Sequence, residues 1–357
     1  MKHLELFAGI GGFRRAMDLL SEDGVLNFES VGFSEIDKKA SLTYTCNYHP
    51  SKEEVVMGDI VDFTSDPERI NSLPDFDILT GGFPCQTFSM MGNKEGFNED
   101  RGQMFFRIID ILTIKRPKYV LLENVKNLVT HDHGKTYLKI KSELEALGYN
   151  VYTRVFNTSD FHLPQNRSRV LIFATMTGFT KDEDDNYSSN SVKQLFDQTY
   201  KEKGVSSYAT VIDLLAKTVP NKYYLSEKIK PTILADGSAN FRSKSEINQL
   251  IARPLTATMH KMHRACQDNY YSQVFIDSNG ATNEASLLSK DELCTRAIRR
   301  ITPEEAFMLQ GFPAEFATNA RKHGVADGAL YKQAGNAVSV NTIYAVLYYL
   351  ICKGHLK

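Results

Sequence analysis

A chain of 357 residues with 42% apolar and 24% charged residues has the material for a full hydrophobic core and two domains. A formal net charge of −1 excludes a globally basic nucleic-acid scaffold, so a polyanionic partner would have to be met by local positive charge. Five cysteines without repeated spacing argue against a disulfide framework, no apolar run reads as a bilayer span, and residues 1–10 open on strand-like sequence instead of a secretory leader, so a cytoplasmic enzyme is expected.

In chain order, residues 3–7 read as a short strand running into the glycine turn Ala8-Gly9-Ile10-Gly11-Gly12. A helix is predicted next, because Phe13, Ala16, Met17 and Leu20 fall on one face at helical spacing. Residues 31–35 form a second predicted strand, and a third precedes Gly58-Asp59-Ile60. Residues 77–80 predict another strand, 105–112 a helix, 119–122 a continuous apolar strand, 135–147 a helix and 169–174 a further strand. Strands alternating with helical segments imply an α/β fold with a parallel sheet covered on both faces. Ligands collect beyond the carboxyl ends of the strands in such sheets, and Cys85 and Glu123 are both placed just past a strand's carboxyl end.

Residues 179–195 break this rhythm with polar, loop-like sequence, which places a domain boundary near residue 178. From there to about residue 330 no strand–helix alternation is legible. The stretch contains Arg253, His260, Lys261, His263 and Arg264 with no acid before Asp268. Local positive charge mixed with Thr and His suits phosphate contacts and base-edge hydrogen bonds; an exposed basic loop is the competing reading. Residues 341–352 predict a last helix with Ile343, Val346, Leu347 and Leu350 on one face, closing against the first domain.

Two constellations carry chemistry. Gly9, Gly11 and Gly12 allow backbone to approach a ligand at the start of a helix, although such a turn is often only a turn. Glu35 ends the next strand, where an acid accepts from ribose hydroxyls, and Asp59 stands where it can accept from an adenine amino group. Together they describe a nucleoside pocket, without deciding between a dinucleotide and S-adenosylmethionine. The second constellation is Gly81-Gly82-Phe83-Pro84-Cys85-Gln86 with Glu123-Asn124-Val125, one thiol and one carboxylate on two separate apolar runs. Attack on an electron-poor pyrimidine requires that pair: a thiolate to add to a ring carbon, and an acid for the charge that builds on the ring nitrogen. A Pro-Cys-Gln loop after two glycines is poor core sequence, which disfavours the inert buried thiol that most free cysteines become.

Six collinear blocks give the chain a resemblance to the carbon-5 DNA cytosine methyltransferases of the bacterial restriction–modification type. Residues 6–13 resemble the family's cofactor loop, 82–86 its nucleophile motif, 123–125 its acid motif and 165–169 its Gln-x-Arg-x-Arg motif. Residues 300–313 resemble the segment that supports the recognition domain, and 333–338 the last motif. Three departures stand out: Glu5 where Asp is usual, Ile36 where some members place an aromatic, and Glu304 where Arg is common, which implies one structural ion pair fewer.

The resemblance implies a Rossmann-like S-adenosylmethionine-dependent methyltransferase sheet with a smaller, irregular target-recognition domain. Its divisions are 1–178 for catalysis and cofactor, 179–329 for target recognition and hinge, and 330–357 for a segment returning to the catalytic domain. Cys85, presented by Pro84, would add to carbon 6 of a flipped-out cytosine. Glu123 would serve ring nitrogen 3, Arg169 the ring carbonyl oxygen, with Arg167 assisting. Phe7, Ala8, Gly9, Gly11, Gly12, Glu35, Ile36, Asp59, Ile60, Asn336 and Ala337 would form the S-adenosylmethionine site, with no metal. Gln86, Ser89 and Arg101, on or beside a mobile loop at 88–101, would touch duplex DNA. Thr256, His260, Lys261, His263 and Arg264 would do so from the recognition domain. A monomer in the bacterial cytoplasm, at the nucleoid, is expected, with a cognate restriction endonuclease sharing its site without a stable complex. With the first motif at residue 4 and little after the last, a stand-alone prokaryotic or phage enzyme is expected. A nicotinamide-dependent dehydrogenase would share the glycine loop and Glu35 but has no use for Cys85, Glu123 and the Gln-x-Arg-x-Arg block together. An RNA cytosine methyltransferase on the same scaffold is the nearer rival, and a non-catalytic DNA-binding module the third.

Overall fold

The computed structural model describes residues 1–84, 104–237 and 243–357. They divide into two compact units. The first comprises 1–157, 168–205 and 338–357; the second comprises 158–167 and 206–337.

The first unit is built on a seven-stranded sheet in the order β3-β2-β1-β4-β5-β7-β6. Its strands are β1 (Lys2–Leu6), β2 (Glu29–Phe33), β3 (Val55–Val56), β4 (Ile78–Gly82), β5 (Tyr119–Val125), β6 (Asn150–Asn157) and β7 (Ser168–Thr175). β1 to β5 are mutually parallel, as the strand–helix alternation predicts. β7 is antiparallel to both β5 and β6, which corrects the all-parallel expectation. The reason is local: only the short 3-10 turn Thr158–Phe161 and a loop lie between β6 and β7, too little to carry the chain back across the sheet, and only antiparallel neighbours can do without such a crossover. β6 itself escaped the sequence reading, since most of its side chains are only half-buried and give a weak apolar signal.

The helices of this unit are α1 (Gly12–Glu22), α2 (Lys38–Tyr48), α3 (Ile60–Thr64), α4 (Pro67–Asn71), α5 (Met104–Lys115), α6 (Lys135–Ala146), α7 (Lys181–Asn186) and α8 (Ser189–Thr199). One core joins Leu4, Leu79, Val120, Leu122 and Ile172 of the strands to Ile108, Ile111 and Leu112 of α5 and Ile140 and Leu144 of α6. α1 buries Phe13, Ala16, Met17 and Leu20, the predicted stripe. It packs, as α8 does, against the C-terminal helix Val340–Cys352. That helix is buried on nearly every side, not along one stripe, and is tied by Tyr344 Oη to Asp23 Oδ2 at 2.6 Å and by Tyr349 Oη to the Asn186 carbonyl at 3.0 Å. Contrary to the sequence expectation, the stretch 327–352 is long and apolar enough to span a bilayer; 78% of its most apolar window is buried, as in a core helix.

Residues 179–195 are also corrected. They are largely helical, because Thr180 and Glu183 form a reciprocal capping box and Ser188 caps α8 through Ser191. α8 buries Val192 and Phe196, so the polar run belongs to the first unit and the division falls at 205/206 instead of 178/179. The later division falls at 337/338, not 329/330.

The second unit is irregular, as expected. It has the two-stranded antiparallel sheet β8 (Tyr270–Ser272) and β9 (Ile298–Arg300). Around it lie α9 (Lys230–Leu234), α10 (Gln273–Asp277), α11 (Lys290–Cys294), α12 (Pro303–Met308), α13 (Ala314–Lys322) and α14 (Asp327–Asn336). Glu304 does not leave this unit short of an ion pair: it pairs with Arg321, which also meets Asp327 at 3.1 Å. A second, fully buried pair joins Arg299 to Glu305, both guanidinium contacts at 2.8 Å.

Candidate active site at the carboxyl edge of the sheet

Because β3, β2, β1, β4 and β5 run parallel and side by side, the residues that follow them emerge along one edge. After β1, Phe7 adopts a φ of 54° and its amide donates to Ser34 Oγ at 3.1 Å, while the Ala8 amide donates to the Ser34 carbonyl at 2.8 Å. Gly9 and Gly11 follow at φ of 57° and 80°, a left-handed conformation that glycine adopts without cost. Nothing lies within 4 Å of the point where a Gly9 side chain would begin, so the loop has an open face there. A side chain at Gly11, by contrast, would begin 2.4 Å from the Tyr48 ring. The Tyr48 hydroxyl donates to the Gly11 carbonyl at 2.6 Å. Gly12 starts α1.

Glu35 straps this loop. Its Oε2 accepts the Gly9 amide and its Oε1 the Asp37 amide, each at 2.7 Å. The sequence assigns Glu35 to a ribose; in the structure both its carboxylate oxygens accept from backbone amides beside the glycine loop. Ile36 beside it is 69% exposed, a large aliphatic surface at the end of β2. Asp59 caps α3, its Oδ1 accepting from the Val61 amide at 2.9 Å. Ile60 opens α3 with its side chain buried in the core, which leaves its backbone as the part that faces the strand ends. Asn336 and Ala337 fall in the second unit, Asn336 exposed at the end of α14 and Ala337 with its carbonyl taken by Arg167. An open glycine face at the head of a helix, a strapped acid and an exposed aliphatic side chain are the donors, acceptor and apolar surface that a nucleoside sulfonium requires.

Two ionisable side chains lie beneath this loop. Burial pushes the Glu5 carboxyl up to about 8, against the opposing pull of the Arg14 guanidinium and the Phe13 and Arg14 amides at the head of α1. Burial, helped by Arg14, lowers His3 to about 3, so it is neutral and shares a 2.8 Å hydrogen bond between Nε2 and Thr80 Oγ1.

The second constellation sits on β4, β5 and β7. Glu123 lies within β5, paired with Gly82 on β4 and Leu171 on β7, and not beyond the strand's end as the sequence suggests. A side chain at Gly82 would begin 3.3 Å from Glu123 Oε2, so glycine there keeps the carboxylate's place clear. Arg169, one pair from the start of β7, sets its Nε 2.9 Å from Glu123 Oε1. Asn124, which the sequence reading left without a role, is buried and donates from Nδ2 to the Phe83 carbonyl at 2.8 Å. This clamps the backbone just before Pro84, which is exposed. Cys85, Gln86, Ser89 and Arg101, with the 88–101 loop, lie outside the described residues. The arrangement presents a carboxyl oriented by a guanidinium, one residue ahead of a side chain that fixes the nucleophile strand.

Arg167 departs from its expected place beside Arg169. It belongs to the second unit, is buried, and donates to the carbonyls of Leu255 at 3.0 Å, Gly335 at 3.1 Å and Ala337 at 3.0 Å. It is a structural tie, as is Gln165, whose amide donates to the Leu309 carbonyl at 2.9 Å and accepts from the Leu255 amide at 2.9 Å. In the same unit Thr256 Oγ1 lies 3.5 Å from Thr258 Oγ1, and a 3-10 turn spans Met259–Lys261. His260 Nδ1 lies 3.3 Å from the Ala257 carbonyl, Lys261 is exposed, and Arg264 donates to the Asp236 carbonyl at 2.7 Å. His263 is held by Asp268, whose Oδ2 accepts the His263 amide at 2.8 Å and lies 3.2 Å from its Nδ1.

Among the described residues no cluster of His, Cys, Asp and Glu is suited to a metal ion. Likeness to solved structures is high in shape and low in sequence. The S. pombe Dnmt2 methyltransferase superposes with a TM-score of 0.73 over 99% of both chains at 19% identity. The Entamoeba histolytica methyltransferase EhMeth does so at 0.71 over 99% of this chain and 98% of the other, also at 19%. Sequence relatives are closer. The Type II methyltransferase M1.ScrFI of Lactococcus lactis subsp. cremoris is 36% identical over 97% of this chain and 76% of its own length. M.HaeII of Haemophilus aegyptius is 34% identical over 97% and 91%. The sequence pattern of the C-5 cytosine-specific DNA methylases matches residues 1–352. With the glycine loop, the acid strand and the sheet order all in place, the chain belongs to that family and is an enzyme that methylates cytosine at carbon 5, with S-adenosylmethionine as methyl source.

Proposed function

We propose that this enzyme methylates one cytosine within a specific duplex DNA sequence, through a transient covalent bond between Cys85 and carbon 6 of a base turned out of the helix. The observation that carries the reading is the 2.9 Å Arg169–Glu123 pair on the strand next to the nucleophile strand, with Asn124 clamping Phe83. Cytosine carbon 5 is a weak nucleophile until a thiolate adds at carbon 6. Glu123 supplies the proton or hydrogen bond that ring nitrogen 3 needs as that bond forms. Arg169 keeps the carboxyl oriented and serves the ring carbonyl oxygen. When bound, S-adenosylmethionine supplies an electrophilic methyl group to carbon 5. The carbon 5 proton then leaves to a base, and the Cys85–carbon 6 bond breaks to restore the aromatic ring. Turning the base out costs a few kcal/mol of stacking, met by contacts between the enzyme and the displaced strands.

Phe7, Ala8, Gly9, Gly11, Gly12, Glu35, Ile36 and Asp59 are the residues that would hold the cofactor, its ribose toward Glu35 and its adenine toward Ile36. The first unit is the catalytic domain and the second the target-recognition domain. The enzyme works as a monomer on DNA in the bacterial cytoplasm, alongside a restriction endonuclease of the same site that it does not bind stably.

Tritiated methyl transfer to duplex DNA and to transfer RNA, by the wild type and Cys85→Ser, tests this. Labelled DNA that disappears in the variant is expected, together with a stable adduct at Cys85 on duplexes carrying 5-fluorocytosine at the target. Equal labelling by the variant overturns the covalent route. Label entering transfer RNA alone overturns the substrate.

A further inference from the structure

The second unit carries an open groove of about 620 Å³ lined by Arg253, Thr256, Thr258, His263, Cys266 and Gln267, with Pro254. Most of its polar lining is already engaged. Arg253 donates to the Glu246 carbonyl at 3.1 Å, and His263 is held by Asp268. Thr256 and Thr258 lie against each other. Gln267 is exposed, and among the described residues its side-chain amide makes no hydrogen bond.

The backbone that presents Gln267 is rigidly held. Asp268, next in the chain, is buried and accepts the His263 amide. Tyr270 Oη donates to the His263 carbonyl at 2.6 Å. The Ala265 amide donates to the Ile233 carbonyl at 2.8 Å, and the Gln267 amide to the Arg264 carbonyl at 2.9 Å. The segment 253–267 carries Arg253, His260, Lys261, His263 and Arg264 and no acid. An unengaged amide carried by a held backbone at the edge of an open groove suits recognition of a base edge, with Lys261 and Arg264 of the same segment available for phosphates: phosphate contacts position the duplex, and a side chain with both donor and acceptor reads it.

We propose that Gln267 is a specificity-determining residue that fixes the identity of one base pair of the target sequence through its amide, in the groove bounded by Thr256, Thr258 and His263. The inference rests on the reading of the second unit as the DNA-recognition domain. Lys261 and Arg264, on the same segment, contact phosphates and carry no sequence information.

The test expresses wild type, Gln267→Met and Lys261→Ala in a host without cytosine methylation and maps 5-methylcytosine by conversion sequencing. Purified proteins are then assayed on the mapped duplex and on duplexes altered at one position. Gln267→Met keeps the side-chain length and removes the hydrogen bonds. It is expected to relax the motif at one position, with discrimination there falling roughly tenfold or more. KM for S-adenosylmethionine and Tm should stay unchanged. Lys261→Ala is expected to weaken every duplex alike and lessen the salt dependence. An unchanged motif with unchanged discrimination overturns the assignment, and so does a fall that is uniform across all positions. A wild type that methylates no duplex overturns the underlying reading of the enzyme instead.

Discussion

Glu5 shows how one residue can be right in the sequence and incomplete in meaning. Its carboxyl replaces a shorter acid, and conserved charge is the natural reading. In the fold it is fully buried at the head of α1 and its ionisation is pushed up to about 8 by that burial. The native state therefore holds a proton that the unfolded chain, with an ordinary glutamate near 4.5, has released. Stability must fall as pH rises from about 4.5 to about 8 and level off above, by at most a few kcal/mol from this group. Urea denaturation across that window should show the slope in the wild type and lose it in Glu5→Gln; parallel slopes would assign the effect elsewhere. Glu123, Arg169, Glu35 and the glycines stand out in the sequence as candidates, by residue type and by their place at the ends of apolar runs. Tyr48, Ser34 and Asn124 do not. Each acts through a side-chain hydrogen bond to backbone of another element, and no spacing rule marks a residue whose partner lies elsewhere in the chain.

At the scale of elements, predicted strands and helices with a clear apolar period were found near their expected bounds, since burial on one or both faces writes that period into the sequence. The misses have identifiable physical causes. β6 has no fully buried face to announce it. The run 179–195 is polar enough to read as loop, yet its caps supply the hydrogen bonds that start α7 and α8. α14 illustrates a contact that sequence cannot reveal. Gly335 sits where a side chain would begin 2.2 Å from the Thr256 carbonyl carbon and 2.4 Å from the Ala257 nitrogen, both backbone atoms. Gly335→Ala should therefore push α14 off the 256–257 segment. A loss on the order of 1–3 kcal/mol and a drop in DNA methylation are expected, readable as a lowered Tm and faster limited proteolysis within 206–337. A variant with wild-type Tm would show that the segment yields at no cost.

For the whole molecule, the fold class and the order of functional blocks could be read in advance, and the division into units could not, because it depends on packing between distant segments. The second unit has two three-residue strands and otherwise irregular backbone, so polar ties matter to it. The Arg299–Glu305 pair is the most buried of these, and Glu305 also accepts the Ala216 amide at 2.8 Å and the Thr302 amide at 2.7 Å. Arg299→Met strands a carboxylate away from water and should cost about 3–5 kcal/mol. Denaturation should show this loss, and Glu305→Gln added to Arg299→Met should recover part of it. No recovery would mean that the arginine acts through packing alone.

Residues 158–167 lie between the two strands of a hairpin of the first unit, yet they are built into the second. Evolution or an engineer wishing to trade recognition modules between relatives cannot do so with one cassette. A graft of 206–337 alone would set the resident Gln165 and Arg167 against foreign partners in place of Leu255, Leu309 and Gly335. Successful chimeras should therefore carry two inserts, one of them only ten residues long.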